Sequence, residues 1–331
     1  MAWLAIHAGF SVNGVAELHT RLLKEQELRD WYELYPEKFN NKTNGITQRR
    51  WLLSANEELS EFITKRIGHG WEKDLTKLKG LEKFTSDKDL NELIAIKEHN
   101  KRRLADYLKH AQNEIIDADS IFDVQVKRLH EYKRQLMNIL HIMYVYNKML
   151  EDPNYKPAKK TYIFGAKSAS GYRRAKSIIK LINTVAERIN NDRRVNDRLH
   201  VVFVENYRVS VAEKIFPAAD VSEQISTAGL EASGTSNMKF MVNGALTMGT
   251  MDGANIEIVE EAGKENAFIF GLLTDEILKI ERDHSYNPQE YLERNPGLAK
   301  VVEQLVDGTY DPTHQLFKEL HDSLVYGVEG N

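Results

Sequence analysis

Residues 199–204 read LHVVFV, an almost unbroken apolar run. A run like this fits a strand buried on both faces, as in a parallel sheet, better than a strand with one face in water. Similar short runs fall at 121–126, 162–165, 219–225, 245–248 and 267–270. Helical patterns lie between them at 132–149, 172–189 and 209–216, and again near Asn237. Strands alternating with helices imply βαβ units and a parallel sheet with helices on both faces. The pattern therefore predicts an α/β, Rossmann-like domain over 117–331, its core ending near 310. In such sheets ligands collect at the carboxyl ends of the strands. That rule points to the loops after Val126, Gly165, Val204 and Ile225.

The part before 117 has a different texture. Residues 46–116 are mainly helical, punctuated by Gly68, Gly70 and Gly80. Within 1–45, residues 2–6 read as a short buried strand and 12–24 have helical spacing. Residues 35–47 are polar, contain Pro36 and Gly45, and read as a long ordered loop. Composition excludes several classes. With 42% hydrophobic and 28% charged residues the chain is not a disordered one. A net charge of −4, with its cations dispersed, argues against a nucleic-acid partner. The absence of cysteine removes disulfides and thiolate chemistry and fits a reducing compartment. The opening MAWLAIHAGF lacks the basic start of a signal peptide, and no apolar stretch approaches the ~20 residues of a membrane span. The expected setting is the cytoplasm, with no membrane.

Three segments carry chemistry. Residues 231–239, EASGTSNMK, put Gly234, Thr235 and Ser236 just before a predicted helix. Their N–H groups and hydroxyls suit a phosphate, and Lys239, one turn on, could reach a group held there. The ordinary alternative is a helix cap followed by a solvated lysine. Residues 123–134, DVQVKRLHEYKR, crowd Lys127, Arg128, Lys133 and Arg134, with His130, onto the end of a strand. Cations at a helix start oppose its dipole unless an anion binds, so the cluster reads equally as an anion site or a solvated helix start. Residues 205–210, ENYRVS, follow the most apolar strand. Tyr207 could stack on a ring and Arg208 could pair with an anion, although a routine loop explains both.

Other features carry less. There is no G-x-x-x-x-G-K-[ST] phosphate loop, no G-x-G-x-x-G after residue 165, and no H-E-x-x-H around His130. The histidines show no metal-ligand spacing. The basic run at 97–103 reads as a solvated helix face. Asn41-Lys-Thr43 matches a glycosylation acceptor that has no meaning in the cytoplasm.

Taken together, VQVKRLHEYKRQ at 124–135, ENYRVS at 205–210 and EASGTSNMKF at 231–240 resemble signature stretches of the glycogen/starch/maltodextrin phosphorylases. NNKTNGI at 40–46, RRWL at 49–52 and GTMDGAN at 249–255 are also similar, in the family's order. The resemblance implies the C-terminal, Rossmann-like part of a two-domain GT-B fold. It implies reversible transfer of a glucosyl unit between an α-1,4-glucan and inorganic phosphate, giving glucose 1-phosphate. It also implies pyridoxal 5′-phosphate, tied through its aldehyde to a lysine and using its phosphate for acid/base work. Residue by residue, Lys239 matches that lysine. Lys127, Thr235 and Ser236 match positions around the cofactor phosphate, and Trp51, Tyr207 and Arg208 match positions near the cofactor. Arg128 and Lys133 match ligands of the substrate phosphate, with His130 nearby. Glu231, Ser233, Gly234, Asn44 and Tyr132 match contacts to the glucosyl unit.

The resemblance further implies that residues 1–45 are the end of an N-terminal domain that is otherwise missing. The chain is less than half a family member's length, and 325–331 stop before the family's last helices. The expected partner is that missing domain, with a homodimer left open, and the chain alone is expected to be inactive. The alternatives are a non-catalytic cofactor-binding module and a GT-B transferase using a sugar nucleotide; the latter has no need of Lys239. Ser236 and Gln48 depart from the glycine and proline of many relatives, with little effect expected if Ser236 keeps ordinary backbone angles.

Overall fold

The computed structural model describes residues 1–326. Its elements, in chain order, begin with α1 (Ala2–Ala8), β1 (Val12–Gly14), α2 (Glu17–Leu22), α3 (Arg29–Leu34) and β2 (Phe39–Asn41). Two helices follow, α4 (Glu57–Ile67) and α5 (Asp87–Gln112). The α/β part comprises β3 (Ile121–Val126), α6 (Gln135–Glu151), β4 (Lys160–Gly165), α7 (Arg173–Asn190), β5 (Leu199–Phe203), α8 (Val209–Ala218) and β6 (Val221–Gln224). It continues with α9 (Ser236–Val242), β7 (Leu246–Gly249), α10 (Asn255–Ala262) and β8 (Ala267–Ile269). Four helices end it: α11 (Thr274–Arg282), α12 (Pro288–Arg294), α13 (Pro296–Glu303) and α14 (Lys318–Val325). The expected early stop rests on 325–331, of which 327–331 lie outside the described residues.

Strands β3 to β8 form one six-stranded sheet, every pair parallel, in the order β5-β4-β3-β6-β7-β8. The α/β fold with helices on both faces is therefore as expected. From β3 the chain builds outward through β4 to β5, then returns by α8 to lay β6 on the other side of β3. The sheet thus reverses its winding between β3 and β6, which leaves a crevice outside their carboxyl ends.

Alternation along the strands supplies the two faces. Phe122, Val124 and Val126 join Ile163 and Val202 on one face, packed against Leu104 and Leu108 of α5 and Ile215 and Phe216 of α8. Tyr162, Phe164 and Val201 face the other way, against α6 and α7. Trp51 belongs to the first of these cores. It lies on a π-helical turn, Arg49–Ser54, whose extra residue per turn re-aims a side chain.

Five sequence expectations need correction. The helical spacing read over 12–24 holds only from Glu17, because Val12–Gly14 form β1, paired with β2. Residues 2–6 are helical, not a buried strand, and only Ile6 of α1 is buried. Alanine and leucine favour a helix, and the segment joins neither sheet. Residues 35–47 are not all loop: a 3₁₀ turn, Pro36–Lys38, leads into β2, which pairs parallel with β1. The helix read over 132–149 starts at Gln135, because Arg134 adopts a left-handed backbone, φ 55°. The basic run at 97–103 is not simply solvated. Lys101 is buried on Asp220 and the Ser120 carbonyl. Lys97 donates to the carbonyls of Pro217, Ala219 and Asn243 at 2.9, 2.7 and 3.0 Å.

Among the described residues no helix is long and apolar enough to cross a membrane. Lys97 ties α5 to the end of α8 and to the turn after α9. Lys97→Met removes one donor from three carbonyls at once and is expected to cost about 2 kcal/mol. Urea unfolding of the two proteins measures it.

Candidate active site

The crevice between β3 and β6 opens into a cleft of about 430 Å³. Its wall is made by Val126, Lys127, Arg128, Tyr132 and Lys133 after β3, Gln224 at the end of β6, Tyr207 and Phe216, and Glu231, Gly234, Thr235, Ser236 and Lys239. The volume lies within the ~300–1,000 Å³ typical of small-molecule sites.

Buried amides hold the cationic loop in place. Gln125, inward on β3, donates to the Lys133 carbonyl at 3.0 Å and accepts from Asn138 of α6 at 3.0 Å. Gln135 donates to the Arg128 carbonyl at 3.1 Å. The left-handed turn at Arg134 sends its guanidinium across to the carbonyls of Ile225 and Ser226, at 2.6 and 3.1 Å. The loops after β3 and β6 are thereby stitched together.

The charges inside are unevenly matched. Lys127 donates to the neutral Gln224 Oε1 at 2.8 Å, and Gln224 is fixed in turn by Ser222, 2.9 Å from its amide nitrogen. Burial, and secondarily the Lys133 charge, pull the Lys127 pKa down to about 8. Lys133 is ion-paired with Glu231. Desolvation would lower the Lys133 pKa, but the Glu231 carboxylate more than offsets this and raises it. Lys239 projects from α9 with its amine 4.2 Å from the centroid of the Trp51 ring. Desolvation alone holds its pKa below the usual lysine value. The Tyr207 ring closes the wall beside Gly165, whose missing Cβ leaves it room at 3.4 Å. Burial raises the Tyr207 pKa.

The loop from 226 to 233 is held from beneath by Asp252. Its carboxylate accepts from Ser226 Oγ at 2.8 Å and from the N–H groups of Gly229 and Glu231 at 2.9 and 2.8 Å. Burial pushes the Asp252 pKa up, but His19 and these donors outweigh it and leave the pKa lowered. Gly253 follows with φ 50°; a Cβ there would meet the carbonyls of Ser233 and Glu231 at 2.5 and 2.7 Å. Ser236 begins α9 without a positive φ, so its side chain is tolerated there, in line with the small effect expected of it.

The sequence-derived set divides in two. Lys127, Arg128, Tyr132, Lys133, Tyr207, Glu231, Gly234, Thr235, Ser236 and Lys239 line one cleft, and Trp51 lies under the Lys239 amine. The other four do not line it. His130 is exposed, its ring 4.7 Å from Tyr132 and 5.4 Å from Tyr172. Asn44 is exposed, Arg208 is exposed with a contact to the Asn206 carbonyl, and Ser233 is buried on Gly234. Sequence reading missed Gln224 and Asp252, and counted Arg134 only within the cationic cluster, with no role of its own. Gln224 had a signal: a polar residue closing a buried strand at its carboxyl end. Asp252 stands in GTMDGAN, which was noted only as a resemblance.

A family model described as Carbohydrate phosphorylase matches residues 1–330. The chain is 50% identical over 328 residues to the muscle form of glycogen phosphorylase from Homo sapiens, and 51% identical over 326 residues to glycogen phosphorylase from Bacillus subtilis. Each match covers 98% of this chain but 39% and 41% of the relative, so the chain spans about two fifths of the length of these proteins. A match along nearly every residue, at half identity, joins the cationic crevice to the same family that its motifs suggested: the chain belongs to the carbohydrate phosphorylases.

Proposed function

We propose that this chain is the cofactor-bearing part of an α-1,4-glucan phosphorylase, with pyridoxal 5′-phosphate held in the cleft by Lys239. In this reading 117–331 is the cofactor domain, 46–116 its helical bracket and 1–45 the end of a preceding domain. One observation carries it: two lysines without a carboxylate partner among the described residues, Lys127 and Lys239, line one cleft. Buried amines are costly unless something complements them. A phosphate answers Lys127, and an aldehyde answers an amine whose pKa desolvation lowers, as it does for Lys239.

The residues present fit that group. Trp51 and Tyr207 offer aromatic surface beside Lys239, and Thr235 and Ser236 offer hydroxyls near the Gln224–Lys127 pair. When bound, the cofactor supplies a phosphate as the acid/base group beside the substrate phosphate. Two phosphates brought close repel strongly in a partly desolvated cleft. Lys127, Arg128 and Lys133 offset that repulsion, and the exposed Arg128 can grip an oxyanion in bidentate fashion. Glu231 anchors a sugar hydroxyl once Lys133 turns to phosphate. Gly234 and Tyr132 belong to the same wall, and Asn44, Ser233, His130 and Arg208 are assigned supporting roles from the resemblance. The glucan, inorganic phosphate and glucose 1-phosphate are the proposed ligands, and the remaining part of a phosphorylase chain the proposed partner.

Three outcomes test this. Incubation with pyridoxal 5′-phosphate, borohydride reduction and peptide mass spectrometry should place the pyridoxyl group on Lys239, and Lys239→Ala should remove it; an unmodified Lys239 sinks the assignment. Binding of pyridoxine 5′-phosphate, which has no aldehyde, isolates the phosphate contact. Its affinity should fall up to about tenfold per pH unit above pH 8, where Lys127 loses its proton while the phosphate, with a pKa near ~6, stays dianionic. Lys127→Met should weaken binding at pH 7 and flatten that dependence. Finally, the chain by itself should form negligible glucose 1-phosphate from glycogen and phosphate. Robust turnover would show that it needs no second cleft wall.

A further inference from the structure

Beneath the cleft a chain of three buried asparagines ends on the backbone of the two residues that define the Lys239 site. Asn243, 2% exposed, closes α9. Its amide nitrogen donates to the Trp51 carbonyl at 2.8 Å and to the Lys239 carbonyl at 2.9 Å. Its Oδ1 accepts from Asn56 Nδ2 at 3.0 Å, and Asn56 Oδ1 accepts from Asn100 Nδ2 at 3.1 Å. Asn56 is 2% exposed and Asn100 5% exposed. Asn56 also caps α4, and Asn100 sits mid-way along α5.

We propose that Asn243 is a positioning residue for Lys239: by holding the Lys239 and Trp51 carbonyls on one amide nitrogen, it fixes the lysine amine over the indole face. This rests on the reading that Lys239 is the cofactor-bearing residue.

The chemistry requires an amide. Two carbonyls that point at one spot need two N–H bonds from one atom, and only an amide nitrogen supplies them while leaving an oxygen to accept. A carboxylate would set acceptor against acceptor; a hydroxyl could serve one carbonyl. The oxygen is not free to swap with the nitrogen either, because Asn56 presents an N–H to it, and Asn100 fixes Asn56 in the same way. The order of the relay thus dictates which atom of Asn243 faces the site. Trp51 comes from a π-helical turn and Lys239 from α9, elements 188 positions apart in the chain, numbers 51 and 239. Their side chains also meet through shared aromatic packing. The Phe216 ring is 5.2 Å from Trp51 and 4.5 Å from Phe240, in both cases edge-on. That packing resists separation of the elements, but it does not set their register along each other; directional hydrogen bonds do. The Lys97 ammonium, on the Asn243 carbonyl, anchors the same residue from α5.

A residue that only stabilised the fold would change how much protein is folded, and would leave the Lys239 amine of the folded protein as it was. The test therefore reads the amine itself. Competitive labelling with acetic anhydride across pH 6–11, resolved by peptide mass spectrometry, gives the titration of Lys239 in the full chain under conditions where each variant is folded by circular dichroism. In the parent, Lys239 should titrate below the surface lysines, in line with its desolvation. Asn243→Ala should move that titration upward by about half a pH unit or more, toward exposed lysines, as the amine slips off the ring into water. Asn147→Ala is the control. It breaks an equally buried amide pair, Asn147–Gln304, at 2.8 and 3.1 Å between α6 and α13, and should leave Lys239 unmoved. Should Asn243→Ala not fold, Asn56→Ser decides. It keeps a good helix cap yet removes the N–H that orients Asn243, and should give a smaller shift of the same sign.

A Lys239 titration unchanged in the folded variant overturns the proposal, as does an equal shift in Asn147→Ala. The two readings fail separately. A pyridoxyl group found on another lysine removes the cofactor assignment, whereas the Lys239 titration still reports whether Asn243 positions that amine.

Discussion

The Lys127 ammonium, with no carboxylate partner among the described residues, is the constraint from which the site follows. A cation moved out of water into the end of a sheet costs several kcal/mol unless it is compensated, and here its nearest acceptor is the neutral Gln224 side chain. Gln125, Asn138 and Gln135 could not hold the loop so firmly if they were apolar. They trade core hydrophobicity on one face of β3 for control of where Lys127, Arg128 and Lys133 point. Such an arrangement is poor for stability and good for receiving an anion. That asymmetry distinguishes the cleft from the ion pairs elsewhere on the surface, such as Arg29–Glu33 on α3, where each charge is matched and screened.

Lys133 and Glu231 complicate the picture in an informative way. The resemblance gives them different ligands, phosphate for one and sugar for the other, yet here they saturate each other. On the proposed reading, a phosphate reaching the Arg128 side of the cleft would compete with Glu231 for Lys133. Whatever it draws away frees a carboxylate to accept sugar hydroxyls. On the proposed reading, phosphate and sugar recognition would be coupled through this one ion pair. The Asp252 carboxylate, which gathers Ser226, Gly229 and Glu231 backbone or side-chain donors, keeps the Glu231 loop from collapsing when that pair opens.

The sheet was legible because its signal is local. A run such as 199–204 has no outlet but a strand covered on both faces, and the alternation around it leaves a parallel sheet as the consistent solution. The cationic loop was legible for a related reason: charge beside a buried strand needs an explanation. The failures share a different cause. Residues 2–6 have the hydrophobicity of a strand, but a strand exists only if a neighbour offers an edge, and periodicity does not say which neighbours are present. Lys97 and Lys101 look solvated because a helix presents them every four residues. Their inward direction depends on carbonyls of Pro217, Ala219 and Asn243, and on Asp220, more than a hundred positions away. Asn243 was invisible in the same sense. An asparagine after a short helix reads as a C-cap, and nothing local tells that its side chain serves Trp51.

Two of these long-range polar contacts meet at Asn243, at the end of α9, and they help explain why so short a helix can carry Lys239. A helix of 7 residues is too short to be stable by its own hydrogen bonds. Its order must come from outside. Phe240 supplies it through the aromatic core, Asn237 through its bond to Asn255, and Asn243 through Trp51 and the asparagine relay. These three residues are spaced three apart in the chain, so the tethers hold one stripe of α9 along its whole length. Lys239 lines the cleft. Had α9 been long and self-sufficient, its orientation would have been set by hydrophobic packing alone, which tolerates shifts of an ångström that a lysine poised on an indole face does not.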